Sequence, residues 1–358
     1  MKRHLIIIYT AVTFLLLHPA LPCAKMLPGG HFLNLELGAR PAAMGGAFTG
    51  ISDDINSLYW NPAGLGKIDY QQACAMYSRW LEGTSYGYLG YVFPWSFGGT
   101  CGALYGYYNS GAIPRSIASR RGVFKEYDGE FRSTANSLAI CVGSRFMDIM
   151  YLGGVIRFAN ETIDSYDAVN FSGDIGALYE IIDKRLTAGF SASNIGTGMQ
   201  FIEESTPLPV DIKTGVGYYL TDSDEYLTAI DFSSRDGFHL GFEYKMHLEK
   251  EKRVKKMYHK FGSNDNISIK YKTEKIYSRD MLFFRAGCRP GNLSILNVLS
   301  AFSFGVGINY YSVGFDYAFV PFGELGNTHN VFLSYRFGLE KERPKIGEEI
   351  IEQKLKKF

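Results

Sequence analysis

Long segments in which apolar and polar residues alternate constrain the fold of this chain more than any other feature. In 210–220 and in 302–310, mostly apolar or aromatic side chains stand at every second position, with glycine or polar residues such as Asp211 and Lys213 between them. An alternation with a period of two is typical of β-strands that have one apolar and one polar face. The segments reach about 10 residues, the length that a tilted strand needs to cross a bilayer, whereas soluble strands average about 5 or 6.

We therefore predict an all-β fold, an antiparallel transmembrane β-barrel of about fourteen strands over residues 71–339. A closed barrel leaves no unpaired strand edge in lipid, and its glycine-rich polar face lines the lumen. An even number of strands places the start of the first strand and the end of the last strand on the same side of the membrane. The predicted strands lie near 72–80, 85–93, 97–108, 132–145, 150–159, 168–180, 185–194, 210–220, 225–233, 238–246, 281–289, 300–310, 311–320 and 328–338.

Short and longer connections should alternate around such a barrel, with the short ones facing the periplasm. Residues 247–280 break this pattern, because they form a long basic insert where a periplasmic turn is expected. The insert is either a solvated loop or a contact site for a periplasmic partner or anionic lipid. The charged tail 340–358 either docks on a periplasmic partner or frays. The predicted longer connections are 109–131, 160–167, 195–209 and 321–327.

Composition agrees with a barrel and excludes other classes of protein. With a net charge of +1 the chain is not strongly attracted to a charged partner, so nucleic-acid binding is not expected. A mean hydropathy of −0.07 argues against a bundle of transmembrane helices. The 40 glycines, 25 tyrosines and 26 phenylalanines suit a barrel, with aromatic side chains on the lipid face and glycine in the lumen.

The first residues have the pattern of a secretory signal peptide. Lys2 and Arg3 precede an apolar run over 5–17, so we predict a signal peptide at 1–24 and export to the cell outer membrane. The cleavage site is left open, as is lipidation of Cys23, which follows a poor lipobox.

No pattern of catalytic or metal-binding residues stands out. The sequence has no HExxH or P-loop motif, so we predict neither an enzyme nor a cofactor. The remaining cysteines are far apart and form no CxxC pair, which indicates neither a zinc site nor a disulfide framework. These cysteines are Cys74, Cys101, Cys141 and Cys288.

Residues 25–70 precede the first strand and lack its alternation. The stretch 38–50 (GARPAAMGGAFTG) consists mainly of small residues. Such a segment either folds inside the lumen as a plug or forms a flexible periplasmic lead-in. The large aromatic side chains of Phe48 and Trp60 need burial, which favours the plug.

A short helix is predicted directly after Ser52. The Ser52 hydroxyl is suited to cap it, and Asp53 and Asp54 in the first turn complement the helix dipole. Pro62 disfavours helical backbone at Asn61 and so ends the helix.

Two stretches carry a resemblance to a known family. GARPAAMGGAFTGISDDINSLYWNPAGL at 38–65 closely resembles the N-terminal signature of the PorV/PorQ group of FadL-like outer-membrane proteins, which includes the UPF0164 proteins. The stretch 302–338 resembles the last three strands of that group. The resemblance implies a fourteen-strand barrel whose N-terminal hatch blocks the lumen and shifts so that hydrophobic molecules pass, often through a gap in the wall.

The resemblance also assigns residues to the hatch and to the gap. The implied hatch spans about 30–66, and the third strand is the candidate lateral-gap strand, since glycine weakens strands and marks bends. The long 247–280 insert and the tail depart from the family pattern, and the tail puts a simple C-terminal insertion signal in doubt. The hatch residues are Gly45, Gly46, Phe48, Trp60, Asn61, Pro62 and Ala63, and the gap residues are Gly98, Gly99, Gly102 and Gly106.

The function implied by the resemblance is passive uptake of long-chain fatty acids or other hydrophobic compounds, with membrane lipids as surroundings. Four cations are predicted to point into the lumen, where they either hold a substrate carboxylate or pair with Asp211, Glu243 and Asp316. Pairing is favoured, because an unpaired charge away from water is costly. The four are Lys213, Lys245, Arg285 and Arg289.

Two alternatives stay open. One is a PorV-like interaction protein of type IX secretion, and the other is a surface antigen without transport. The sequence leaves the substrate, the choice among these roles and the oligomeric state undecided.

Overall fold

A computed structural model describes residues 29–337 except for eight short stretches. The predicted signal peptide, Cys23 and the predicted tail lie outside the described residues. The stretches left out are 96–97, 119–123, 183–184, 222–223, 249–251, 262–266, 277–279 and 295–297.

Fourteen antiparallel strands close into a barrel, which confirms the predicted fold class and strand number. The first and last of them pair in register from Gln71↔Phe337 to Arg79↔His329, and this pairing closes the barrel. Numbered with all strands of the chain, the barrel strands are β1 (Gln71–Arg79), β2 (Ser85–Pro94), β3 (Gly99–Asn109), β6 (Ser133–Met147), β7 (Met150–Ile163), β8 (Tyr166–Ile182), β9 (Leu186–Gly196), β12 (Asp211–Tyr219), β13 (Tyr226–Ser233), β14 (Gly237–His247), β17 (Met281–Cys288), β18 (Phe302–Tyr310), β19 (Val313–Pro321) and β20 (Asn327–Phe337).

Three two-stranded hairpins lie outside the closed sheet, within stretches predicted as loops or insert. β4, β5, β10 and β11 were missed because they are short or mainly polar, and β16 was missed because its alternation over 267–273 lies within a strongly basic stretch. The hairpin within 247–280 lies at the end of the barrel where β1 begins and β20 finishes, and the other two lie at the opposite end. They are β4 (Ile113–Ala118) with β5 (Phe124–Phe131), β10 (Met199–Phe201) with β11 (Glu204–Thr206), and β15 (Lys252–Phe261) with β16 (Ile267–Ile276).

The loop predicted at 160–167 is wrong. β7 and β8 extend past the apolar belt and remain paired to Ile163↔Tyr166, leaving only a tight turn with Asp164 at φ 56°. Polar residues occupy both faces there, so backbone pairing alone extends the strands.

The outward face of the barrel is apolar. Leu138, Ile140 and Val142 follow one another along β6 at 47–63% exposure, so a belt of aliphatic side chains faces outward. Aromatic side chains border this belt; at the end of the barrel where β1 begins, Tyr91 stacks on Phe337 with ring centroids 5.7 Å apart. An apolar belt flanked by aromatic residues is typical of membrane barrels.

Helices are short and confined to loops and to the segment before β1. No helix among the described residues is long and apolar enough to span a membrane. The two α-helices are α1 (Ala39–Ala43) and α2 (Ser57–Trp60), and the 3-10 helices are His31–Asn34, Pro62–Lys67, Leu81–Gly83, Pro290–Ser294, Leu299–Ala301 and Gly323–Leu325.

The helix predicted after Ser52 does not form there. Ser52 has a φ of 28°, and its hydroxyl donates to the Phe48 carbonyl over 2.9 Å. Both following aspartates instead bind the buried Arg40. Ion pairing with a buried guanidinium outweighs the weak attraction of a carboxylate for a helix dipole. The helix α2 therefore begins only at Ser57.

Candidate functional site

Residues 29–68, here called the luminal segment, fill the interior of the barrel. Its helix α1 packs on β17–β20, while the 3-10 helix Pro62–Lys67 packs on β3 and β6–β8 across the lumen. Between Leu37 and Gly66 only Asp53, Asp54 and Tyr59 are not fully buried. The segment therefore plugs the barrel from wall to wall.

The Asn61-Pro62-Ala63 turn docks on a row of glycines. Gly143, Gly153 and Gly176 are register neighbours on β6, β7 and β8. A Cβ added to Gly153 would lie 2.5 Å from the Ala63 nitrogen, and one added to Gly176 would lie 2.9 Å from the Pro62 Cδ. These positions need glycine because the luminal backbone lies directly on the backbone of the wall.

The Gly45-Gly46 pair of the luminal segment makes a second close contact with a glycine of the wall. Gly45 has a φ of +65° and lies against Gly287 of β17, whose added Cβ would be 2.6 Å from the Gly45 Cα. The Gly45 carbonyl accepts a hydrogen bond from Arg289 Nε at 2.8 Å and lies 2.6 Å from Nδ1 of His239. The next residue, Gly46, faces the same histidine.

Asp231 of β13 clamps the middle of the luminal segment. Its carboxylate accepts the backbone N–H groups of Phe48 at 2.8 Å and Thr49 at 2.5 Å. Asp231 is 1% exposed, so these bonds replace water for a buried charge.

The predicted aromatic residues form the core of the plug. Phe48 and Trp60 are buried and meet edge to face with ring centroids 6.4 Å apart. Trp60 Nε1 donates to the Leu37 carbonyl at 2.7 Å. Lys213 Nζ lies 4.4 Å from the Trp60 ring centroid and 3.4 Å from Asp211, so this lumen cation is shared between the plug and the wall.

A buried charge cluster joins the luminal segment to β14. Arg40 contacts Asp53 at 2.5 Å, Asp54 at 2.7 Å and Glu243 at 2.7 Å. Arg40 is 7% and Glu243 0% exposed, so neither group is hydrated enough to remain charged alone.

The cluster continues along the wall. Arg285 lies between Glu243 at 2.6 Å and Asp316 at 2.5 Å. Lys245 Nζ is 3.9 Å from Glu243 and 3.3 Å from the Tyr219 hydroxyl. Near the opposite end of the barrel, Arg289 pairs with Glu36 of the luminal segment. All four predicted lumen cations thus have carboxylate neighbours.

The surroundings shift the pKa values of the neighbouring Asp53 and Asp54 in opposite directions. Burial raises the pKa of Asp53, but the positive charges of Arg40 and Lys245 outweigh it and hold this pKa well below its usual range. Burial raises the pKa of Asp54, Arg40 opposes the rise and the charge of Asp53 adds to it, so the net pKa is above normal. Asp53 is therefore the stronger ionic partner.

Two cavities flank the plug. One of about 160 Å³, at the end of the barrel where β1 finishes, is lined by aromatic residues such as Trp80 and Tyr86 and by charged residues such as Glu36 and Arg289. The other, of about 140 Å³, lies beside the charge cluster of Arg40.

The glycines of the predicted gap strand lie in a closed wall. β3 pairs with β2 from Thr100 to Asn109 and with β6 from Gly99 to Asn109 without a register shift. Gly102 packs against Leu58 of the plug, Gly106 faces Ser137, and Gly98 in the preceding turn has a φ of +88°. A lateral gap stays a prediction.

Several residues of the site were not singled out from the sequence. Arg40 is the only charged residue of 38–52, a stretch otherwise suited to burial, and this isolated charge was the available signal. Asp231 and Glu36 carried no comparable signal, because their partners are far away in the chain.

Comparison with known proteins defines the fold. No protein-family model matches the sequence, and no curated protein matches it. Two solved structures of the toluene transporter TodX of Pseudomonas putida are similar, at TM-scores of 0.54 and 0.50 and 12% identity. They cover 85% and 84% of this chain and 99% and 97% of theirs. A FadL homologue of Pseudomonas aeruginosa has a TM-score of 0.47 and 9% identity, over 84% of this chain and 98% of its own. The chain thus shares the barrel fold of TodX.

Proposed function

We propose that the chain is a passive outer-membrane channel for hydrophobic compounds, in which the luminal segment acts as a movable hatch. The observation that carries this proposal is the plug itself, which fills the lumen between two cavities. Hydrogen bonds and ion pairs to the wall hold it over the described residues, and such contacts can break and re-form as the hatch moves. The similarity to the fold of TodX, a toluene transporter, supports the same function.

The cavity at the end of the barrel where β1 finishes suits the capture of an amphipathic molecule, because aromatic and charged side chains both line it. Trp80 and Tyr86 meet edge to face with ring centroids 6.1 Å apart, beside Leu35 and Val320. Affinity would come from apolar burial, about 25 cal/mol per Å² removed from water. Transport of this kind needs no cofactor and no catalytic residue.

Long-chain fatty acids are the specific substrates that we propose, in line with the resemblance to the PorV/PorQ group. Arg289 lines the capture cavity, but it pairs with Glu36, so a fatty-acid carboxylate would displace that partner. A neutral hydrocarbon would leave the ion pair intact. Comparing the uptake of a fatty acid with that of a neutral hydrocarbon therefore tests whether Arg289 binds the substrate carboxylate.

Other parts of the chain fit the same proposal. Residues 1–24 would direct export, and β3 with its glycines would open sideways into the membrane. The insert 247–280 and the tail 340–358 would meet a periplasmic partner. A PorV-like role in type IX secretion is the alternative function.

Uptake into vesicles tests the proposal. Outer-membrane vesicles from cells with and without the gene would receive radiolabelled oleate or toluene, and accumulation would be measured over time. We expect faster accumulation with the protein than without it, and Arg289→Met should reduce oleate uptake more than toluene uptake. Equal accumulation with and without the protein would refute the channel, and loss of exported proteins from the cell surface on deletion would favour the secretion role.

A further inference from the structure

The outer wall of the barrel carries a groove of about 430 Å³ across β3, β6 and β7. Outward-facing Gly99, Cys101, Ser144 and Gly154 are small, and this leaves a hollow in a belt of otherwise large side chains. Val142 and Leu152 form its walls, and Trp95 stands at its rim.

The groove opens outward and is closed toward the lumen. Its floor is the backbone of Thr100, Gly143 and Gly153. On the inner side the Thr100 hydroxyl donates to the Ile68 carbonyl at 2.6 Å, and Pro62 of the luminal segment covers both glycines. A ligand therefore reaches the groove only from the outside of the barrel.

The chemistry of the lining fits an aliphatic chain. No charged side chain lines the groove among the described residues, and the Ser144 hydroxyl is occupied by the Gly98 carbonyl at 3.4 Å. The volume lies within the range of about 300–1,000 Å³ typical of small-molecule sites. The groove is continuous with the belt formed by Leu138, Ile140 and Val142, so its surroundings are the hydrocarbon of the bilayer.

We propose that this groove is a binding site for one acyl chain of a membrane phospholipid. The chain lies over the glycine backbone with Trp95 at the level of the headgroups, where tryptophan is enriched in membrane proteins. A lipid held here braces the part of the wall on which the Asn61-Pro62-Ala63 turn docks.

Native mass spectrometry of the full-length protein tests this site. Delipidated protein would be titrated with 1-palmitoyl-2-oleoyl-phosphatidylethanolamine, and the retained lipids counted in wild type, Gly154→Leu and Ala103→Leu. An added Cβ at Gly154 meets no atom closer than 3.7 Å, so the leucine fills the groove without entering the wall. Ala103 is an outward-facing position of β3 outside the groove lining and serves as the control.

We expect wild type and Ala103→Leu to retain up to one phospholipid per protein in detergent. In Gly154→Leu the fraction of protein that retains this lipid should be at least tenfold lower. Equal retention by all three proteins would overturn the site. Preferential retention of free oleate over the phospholipid would overturn the proposed occupant.

Alkylation of native cysteines gives a readout that needs no variant. Cys101 lines the groove, and Cys288 is a partly exposed, outward-facing cysteine of β17 outside it. The phospholipid should slow the reaction of Cys101 with N-ethylmaleimide several-fold and leave Cys288 unchanged. Equal slowing of both would mean that only a general lipid shell surrounds the barrel.

Discussion

The guanidinium of Arg40 and the carboxylate of Glu243 form a bidentate ion pair between the plug and the wall of the barrel. Nε lies 2.7 Å from Oε2 and Nη2 lies 2.9 Å from Oε1. The paired geometry fixes the orientation of both groups as well as their distance. Because Arg40 also binds Asp53 and Asp54, it connects one turn of the luminal segment to β14.

Replacing Arg40 by methionine should loosen the plug. The substitution keeps much of the side-chain volume but leaves three carboxylates without their common partner, and breaking a buried pair costs about 3–5 kcal/mol. We expect ion conductance in planar bilayers and faster amide hydrogen exchange over 38–60. The control is Arg145→Met, which removes an exposed ion pair in which Arg145 Nη2 lies 3.9 Å from Asp148 Oδ1. A closed, slowly exchanging Arg40→Met protein would show that the pair does not hold the hatch.

Asparagine at the two neighbouring aspartates should have opposite effects. The low pKa of Asp53 means that its stabilisation of the docked plug is present above the unfolded value of about 3.9 and is lost as the pH falls toward the folded value. The raised pKa of Asp54 means that its contribution is present below the unfolded value and is lost as the pH rises through the folded value.

At pH 7 we therefore expect faster hydrogen exchange of the luminal segment in Asp53→Asn, and unchanged or slower exchange in Asp54→Asn. Lowering the pH to about 3 should reduce the protection factors of wild type, which relate the measured exchange to the intrinsic rate at the same pH. The reduction should be smaller in Asp53→Asn, which has no charge left to lose there. Equal effects of the two substitutions at pH 7 would contradict the unequal roles assigned to these carboxylates.

Adjacent glycines of β7 provide a matched pair for testing the glycine row. Gly153 faces the plug, and its added Cβ would lie 2.5 Å from Ala63 N, whereas the nearest atom to a Cβ at Gly154 is 3.7 Å away. Overpacking at Gly153→Ala should cost roughly 1–3 kcal/mol, while Gly154→Ala should stay within about 0.5 kcal/mol. Thermal unfolding in detergent measures both, and equal melting temperatures would mean that the turn can move away freely.

The sequence predicted the barrel well because burial on one side of a strand imposes a period of two on every membrane-spanning segment. The strand predicted at 281–289 is observed at Met281–Cys288, for example. The prediction failed at 160–167, where backbone pairing continues beyond the apolar belt. Alternation reports burial, and pairing beyond the membrane belt leaves no such pattern.

The docking of the plug could be predicted only in outline. Small residues at 38–50 indicated a compact segment, but its contacts join residues far apart, such as Asp231 with Thr49. The glycine row shows the same limit: Gly143, Gly153 and Gly176 are spaced along three strands, and only their register brings them under Pro62. One sequence contains the residues of such a contact but not the register that assembles it.

Two inward-facing cysteines should report opening of the hatch without any added probe site. Cys74 and Cys141 are buried, and the Cys141 thiol lies 3.5 Å from the Leu58 carbonyl of the plug. In wild type we expect a water-soluble maleimide to modify neither of them, because the plug covers both. In Arg40→Met their modification should rise at least tenfold, whereas the outward-facing Cys288 should react at the same rate in both proteins. Mass spectrometry of the peptides separates the sites. Rapid labelling of Cys141 in wild type would show that the plug leaves the wall spontaneously, and protection of both cysteines in a conducting Arg40→Met protein would place the ion path away from Leu58.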